Sequence, residues 1–387
     1  MYPAGNMETR AVNGHVAALD GVRGIAVLAV FLYHYGGGAQ SPNWFIRSVG
    51  ETMKMGWSGV PLFFVLSGFL ITGILWSSIG KLHWWRTFFL RRCLRIFPLY
   101  YLTLLFVLIG SIFAHTTREL TPSFAVFFFY LQNFPFHVKI DELTPFWVGH
   151  YWSLAVEEHF YLIWPFLLAK MPSIRWARQM CLIIFLLSMA TRVLIFYTAD
   201  VTYYLITPAR AGELAVGAWL ALAVRDHPEW VPKMRRFAAP VLIASICAVA
   251  VCVAITGDFA ALQMPMYVFG SSVLSFAAAA LIVLALEPGT WARCFCFRPL
   301  RHLGVISYGV YIYHLLFKQF FGAIATYLAP HASRNEHLVV VFFVAACLTL
   351  VIAEISYRFF ERPLLQLKDR FAPSLQPVLT ISEAARV

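Results

Sequence analysis

Charge is what this 387-residue sequence has little of: Asp, Glu, Lys and Arg make up 13% of it. A soluble domain of ordinary composition carries about twice that share. The scarcity excludes a soluble fold and a disordered chain, both of which need polar surface. It also excludes a nucleic-acid binder, although the formal net charge is +11. The seven cysteines are odd in number, and their spacings fit no zinc or disulfide framework, so no metal is expected. Cys294 and Cys296, flanking Phe295, read as a loop detail. No cleavable signal peptide is expected, because the first apolar run holds Asp20 and Arg23 and is longer than a signal core. Nor is there an internal repeat, which disfavours the repeat-built transporters.

Apolar residues fill the space that charge leaves. They make up 60% of the chain, aromatics 17%, and mean hydropathy is +0.71. A hydrocarbon core about 30 Å thick needs about 20 residues of helix to cross it. Ten stretches suit: 18–37, 57–78, 95–114, 151–169, 179–198, 208–224, 237–256, 265–286, 302–326 and 338–359. The run 121–134 is short for a span and reads as re-entrant or interfacial. Loop charge tests the count. Of 30 Lys and Arg, only Arg47, Lys54, Arg118, Lys139 and Arg334 fall on one side, and Arg23, Arg192, Arg210 and Lys318 lie within spans. The remaining 21 fall on the other side, which the positive-inside rule makes cytoplasmic. The expected fold is therefore all-α: a polytopic transmembrane bundle of about ten spans over 18–363, with both termini cytoplasmic. Residues 1–17 form a short cytoplasmic segment, and 364–387 a loose tail without a soluble domain.

A charge in hydrocarbon is costly, so ionisable residues inside spans are candidates for chemistry. Arg23 and His34, eleven residues apart, fall on one helix face about 16 Å apart along the axis. The plainer reading is a snorkelling arginine and a histidine cap. Ser67-Gly68 suits close helix packing more than direct chemistry. Arg91, Arg92 and Arg95 can grip phosphate oxygens, or simply mark topology and meet lipid headgroups. The run from His150 through Trp152, Ser153, Glu157 and Glu158 to His159 places two acids and a histidine several residues into a span. A helix start at the interface tolerates acids too. Arg210 and Glu213, three apart, can pair with each other. His314 falls about mid-span, and Glu361-Arg362-Pro363 reads as a helix stop.

These residues resemble the acyltransferase-3 family of integral membrane O-acyltransferases. The resemblance rests on Arg23 with ten residues before His34, Phe64-x-Leu66-Ser67-Gly68-Phe69, Arg92-x-x-Arg95, and Trp152-Ser153-Leu154-x-x-Glu157-Glu158-x-Phe160-Tyr161. Arg210-x-Gly212-x-x-x-x-Gly217, Gly304-x-x-Ser307-Tyr308 leading to His314, and Glu361-Arg362-Pro363 extend it to nearly the whole chain. His159 stands where the family often has Gln. Members that carry a periplasmic esterase domain are longer.

The resemblance implies transfer of an acyl group, usually acetyl from cytoplasmic acetyl-CoA or another acyl-CoA, to a hydroxyl of a sugar or glycan. The acceptors include lipid-linked polysaccharide, lipopolysaccharide and peptidoglycan. It places the protein among lipids of the bacterial cytoplasmic membrane and carries the family's arginine and histidine onto Arg23 and His34. Its arginine pair carries onto Arg92 and Arg95. Arg23, Arg92 and Arg95 are then the expected donor-phosphate ligands. His34 is the expected base or covalent carrier, oriented by Glu158 or Glu157. Trp152, Ser153, Arg210 and His314 are the expected substrate contacts, His314 as an acceptor or oxyanion contact. The rival reading is a proton-coupled transporter with a His/Glu relay, which predicts broken helices near mid-membrane.

Overall fold

The computed structural model describes residues 16–37, 44–113, 115, 117–134, 144–198, 201–256 and 266–371. Most of the expected N-terminal segment, the tail beyond Phe371, and the charges Arg10, Lys139 and Arg386 lie outside the described residues. Within them the chain is helical and contains no strand. Apolar surroundings offer the backbone no water, so each crossing segment must bond to itself as a helix. The elements are α1 (Ala17–Tyr35), α2 (Trp44–Met53), α3 (Gly59–Ser78), α4 (Trp84–Phe113) and α5 (Thr117–Phe128). Next come α6 (Trp152–Ala169), α7 (Ile174–Thr198), α8 (Thr207–Asp226), α9 (Trp230–Thr256) and α10 (Ser271–Leu286). The last are α11 (Thr290–Phe295), α12 (Arg298–Val305), α13 (Ser307–Leu316), α14 (Lys318–Leu328), α15 (Arg334–Ser356) and α16 (Arg362–Phe371).

Among the described residues seven helices are long and apolar enough to cross a membrane: Ala17–Tyr35, Arg47–Ser78, Trp84–Phe113, Ile174–Thr198, Trp230–Ile255, Met266–Leu286 and Arg334–Leu367. They correspond to seven of the ten expected spans. The other three are α6, α8 and the stretch 302–326. The first two are continuous helices of 18 and 20 residues whose polar side chains lower their hydropathy. The third is not one helix. It is divided into α12, α13 and α14 by non-helical residues at Ile306 and Phe317. Carbonyls near the second break find partners elsewhere. Tyr35 donates its hydroxyl to the His314 carbonyl at 2.5 Å, and the Trp147 amide donates to Leu316 at 3.2 Å.

α5, at 12 residues, is about 18 Å long and too short to cross. Tyr100 and Tyr101 on α4 donate to its last carbonyls, at Phe127 and Phe128. The sequence reading of Glu361-Arg362-Pro363 as a helix stop is corrected. The helix runs on through one π turn, Tyr357–Glu361, into α16. The tail expected to loosen at Leu364 is therefore helical to Phe371. A π turn holds one extra residue, which rotates the side chains that follow and turns Glu361 inward.

The core gathers on α1, α3, α8 and α10. Small residues let these backbones approach closely. A Cβ at Gly217 of α8 would stand 1.8 Å from the Val65 carbonyl oxygen, and one at Gly68 of α3 would stand 2.0 Å from that of Leu214. The α1–α12 pair is as tight, since a Cβ at Gly304 would meet the Asp20 oxygen at 1.8 Å. By contrast α7, α9 and α15 turn large apolar side chains outward, among them Leu187, Ile246 and Phe343. The molecule is a multi-pass helical membrane protein with an apolar rim and polar side chains set into an apolar core.

Candidate active site

Arg23 lies two turns into α1, and Arg92 and Arg95 lie on α4 below Pro98, which breaks one helical hydrogen bond above them. The three arginines line the wall shared by two cavities. The larger, about 500 Å³, opens toward the Ala17 end of α1. The smaller, about 110 Å³, lies deeper and is lined by Ser67, Ser153, Glu157, Glu158, Tyr308 and Tyr311. Arg23 is tied to Asp20 at 3.0 Å across one helical turn. The Arg92 guanidinium stacks on the Tyr161 ring, 5.5 Å from its centre. Tyr161 donates to Glu157 at 3.1 Å and also bonds Ser67. Arg92, Tyr161, Glu157 and Ser67 thus form one polar chain along the cavity wall.

Glu157 and Glu158 project about 100° apart on α6, yet both reach the small cavity. Their situations differ. Glu157 is held by Tyr161, whereas Oε1 of Glu158 is buried with no hydrogen-bond partner. A buried carboxylate oxygen without a partner costs free energy, so this oxygen is open to a donor that enters the cavity.

His34 occupies a second centre nearer the Tyr35 end of α1, with His314 and His150. Its Nδ1 lies 2.9 Å from the Val30 carbonyl and 3.2 Å from Nε2 of His314. Nδ1 of His314 is 2.6 Å from the Tyr311 carbonyl, and Nε2 of His150 is 3.0 Å from that same oxygen. A carbonyl oxygen only accepts, so these contacts assign the protons. Nδ1 carries the proton in His34 and in His314. Nε2 of His314 then accepts from His34, and Nε2 of His34 keeps a free lone pair. His150 carries its proton on Nε2, and its buried Nδ1 has no partner. The rings of His150 and His314 pack edge to face at 5.0 Å.

The two centres meet at Tyr311. Its ring lines the small cavity, and its hydroxyl bonds Ser153 at 2.5 Å. Its carbonyl holds His314 and His150. The expected carboxylate–imidazole contact is absent among the described residues: Glu157 and Glu158 face the arginines, and His34 is oriented by His314 instead.

The expected substrate contacts divide. Ser153 lines the small cavity, and His314 touches His34. Trp152 packs on Phe64 and under the Arg210 guanidinium, 5.4 Å from its ring centre. Arg210 is wholly buried and lines neither cavity. It pairs with Glu213 at 3.1 Å, donates to Ser271 at 2.7 Å and stacks on Tyr204 at 4.6 Å.

Several residues at these centres had no site role in the sequence reading. His150 stood in plain view beside Trp152, and a histidine at the head of an acid-bearing span was signal enough. Glu361 was masked by the helix-stop reading, yet it lines the large cavity and accepts from Ser356 at 3.1 Å. Arg225 and Arg301 counted only as loop charges. No sequence signal marks Tyr311, because its role rests on its backbone carbonyl.

A family model described as an acyltransferase domain matches residues 16–358. Among curated relatives, the peptidoglycan O-acetyltransferase OatA of Listeria monocytogenes is 32% identical over 374 residues, 92% of this chain and 57% of the relative. The putative peptidoglycan O-acetyltransferase YrhL of Bacillus subtilis is 30% identical, over 90% of this chain and 55% of the relative. The O-acetyltransferase OatA of Staphylococcus aureus is 27% identical, over 90% of this chain and 57% of the relative. The chain thus spans a little more than half the length of these relatives. No solved structure matches it significantly.

Proposed function

Since the chain belongs to the acyltransferase-3 family, we propose that it moves an acetyl group from cytoplasmic acetyl-CoA to a sugar hydroxyl of a cell-envelope glycan. Peptidoglycan is the acceptor class its relatives suggest. The membrane is then the bacterial cytoplasmic membrane, and the large cavity opens to the cytoplasm. Arg23, Arg92 and Arg95 bind donor phosphates by charge-assisted hydrogen bonds. The acyl-bearing arm passes into the small cavity beside Ser153 and Glu158.

The observation that carries this reading is the proton assignment at His34. An imidazole whose Nδ1 is bonded on one side and whose Nε2 is free is poised to act as a base. In the transfer step Nε2 takes the proton of the acceptor hydroxyl while the oxygen attacks the acyl carbon. The carbon–sulfur bond breaks, and the CoA thiolate leaves and recovers the proton. Tyr311 stands between the donor cavity and this base, so the thioester must pass its ring to react. Glu158 is placed to accept a hydrogen bond from the donor arm rather than to steer His34.

The broken helix α12–α14 is the one feature that suits a transporter. At its break near His314, however, the His314 and Leu316 carbonyls already accept from Tyr35 and Trp147 rather than standing bare. Membranes carrying the protein, incubated with radiolabelled acetyl-CoA and peptidoglycan precursors, are expected to move label stably onto glycan. The His34→Ala protein is expected to insert normally and move none. Full transfer by that variant would remove His34 from the mechanism. Accumulation of an unmodified solute without transfer would favour transport.

A further inference from the structure

Five arginines line the large cavity, against two acids. The acids do not balance them. Asp20 is paired with Arg23 at 3.0 Å, and Glu361 accepts from the Ser356 hydroxyl at 3.1 Å. Five cations around one cavity repel one another unless an anion lies among them, so the complement of this cavity carries several negative charges. The arginines also fall into two groups. Arg23, Arg92 and Arg95 line both cavities, whereas Arg225 and Arg301 line the large one alone.

The second group is built into the fold. Arg225, in the last turn of α8, is anchored by a 2.9 Å hydrogen bond from Nη1 to the Gly73 carbonyl of α3. Arg301 sits on α12, which the Gly304–Asp20 contact clamps to α1. Its Nε is buried and has no hydrogen-bond partner. A ligand that complements both groups needs phosphate at two separate points. One lies at the wall shared with the small cavity, the other on the part of the large cavity that the small one does not share.

We propose that Arg225 and Arg301 form a second phosphate site, which takes the ribose 3′-phosphate of CoA while Arg23, Arg92 and Arg95 hold its diphosphate. This rests on the acyl-CoA reading and adds to it a donor specificity. CoA has the required layout: an acyl arm, then a diphosphate, then a nucleoside with its own phosphate. A cavity of about 500 Å³ falls in the size range of small-molecule sites. An anionic lipid headgroup offers one phosphate of similar chemistry, so the test must separate the two.

Binding of CoA and of 3′-dephospho-CoA is measured on the full chain in phosphatidylcholine nanodiscs, and again with phosphatidylglycerol added. The wild-type protein is expected to bind CoA about tenfold more tightly, as the loss of a charge-assisted contact implies. Arg301→Gln and Arg225→Gln are expected to weaken CoA and leave 3′-dephospho-CoA unchanged. Arg92→Gln is expected to weaken both, and Arg301→Lys to keep part of the preference. Equal binding of the two ligands by the wild-type protein overturns the second site and leaves the acyl-CoA reading standing. So does an equal loss for both ligands in Arg301→Gln. A preference abolished by phosphatidylglycerol assigns the pair to lipid and also overturns it. If neither ligand binds, the acyl-CoA reading falls and the second site with it.

Discussion

Two sets of arginines lie on the helices of this protein, Arg192 and Arg210 buried, Arg92 and Arg95 lining cavities, and their partners set them apart. Arg192 and Arg210 are partnered by the protein itself, although Nε of Arg210 has no hydrogen-bond partner. Arg192 donates to the carbonyls of Val268 at 3.0 Å and Ala209 at 2.8 Å, and to Ser188 and Ser272. Arg210 has Glu213 and Ser271. Arg92 and Arg95, by contrast, face cavities, and no carboxylate lies within ion-pair distance of either among the described residues. The lesson is that a charge within a span marks a site only when the protein leaves it something to bind. Arg192 and Arg210 join α7 and α8 to the head of α10. Arg210, expected to contact substrate, lines neither cavity, and we propose for it a role in holding α8 in place.

Experiment can break this division. The largest effect is expected from a control outside both sets. His34→Ala should cut acetyl transfer by about a hundredfold or more, the usual reach of a general base. Thermal stability in detergent and CoA affinity should not change. Arg210→Ala comes next and should cost about 3–5 kcal/mol of stability, because it strands Glu213 in the core. Thermal unfolding in detergent reads this out, and normal stability with weakened acceptor binding would restore Arg210 to the site. Arg92→Gln should raise the KM for acetyl-CoA about tenfold with little loss of stability. A lowered melting temperature with unchanged KM would move Arg92 into the structural set.

Two smaller effects sharpen the histidine centre. His314→Ala should slow transfer about tenfold by removing the side chain that, together with the Val30 carbonyl, holds the His34 ring in place, a cost of about 1.4 kcal/mol. His314→Gln, whose amide oxygen can still accept from Nδ1 of His34, should recover part of the rate. Kinetics at saturating donor would test this, and identical losses in the two variants would argue for packing alone. Tyr35→Phe removes the hydroxyl from the His314 carbonyl at the helix break. It should cost about 1 kcal/mol of stability, the ordinary worth of one hydrogen bond.

Much of the fold was legible in the sequence because hydrophobicity acts locally. Seven of the ten expected spans are helices apolar enough to cross a membrane. The three that fall short of that description, α6, α8 and the broken 302–326, carry Glu157, Glu158, Arg210 and His314. Charge lowers a segment's hydropathy for the same reason that it makes the segment useful. The breaks at Ile306 and Phe317 were not legible, since the sequence there reads as an unbroken apolar run. Whether such a run bends depends on partners such as Tyr35 and Trp147, which lie far away in the chain.

By itself the sequence determined the class, the buried charges and the spacing of Arg23 and His34 along one helix, because composition and helical rise are local properties. Tertiary structure alone decided which charges share a cavity. It set Glu157 and Glu158 beside the arginines, gave His34 to His314 and left Arg210 outside both cavities. Those choices depend on which helix faces meet, and the contacts at Gly68, Gly217 and Gly304 set those meetings across long sequence separations.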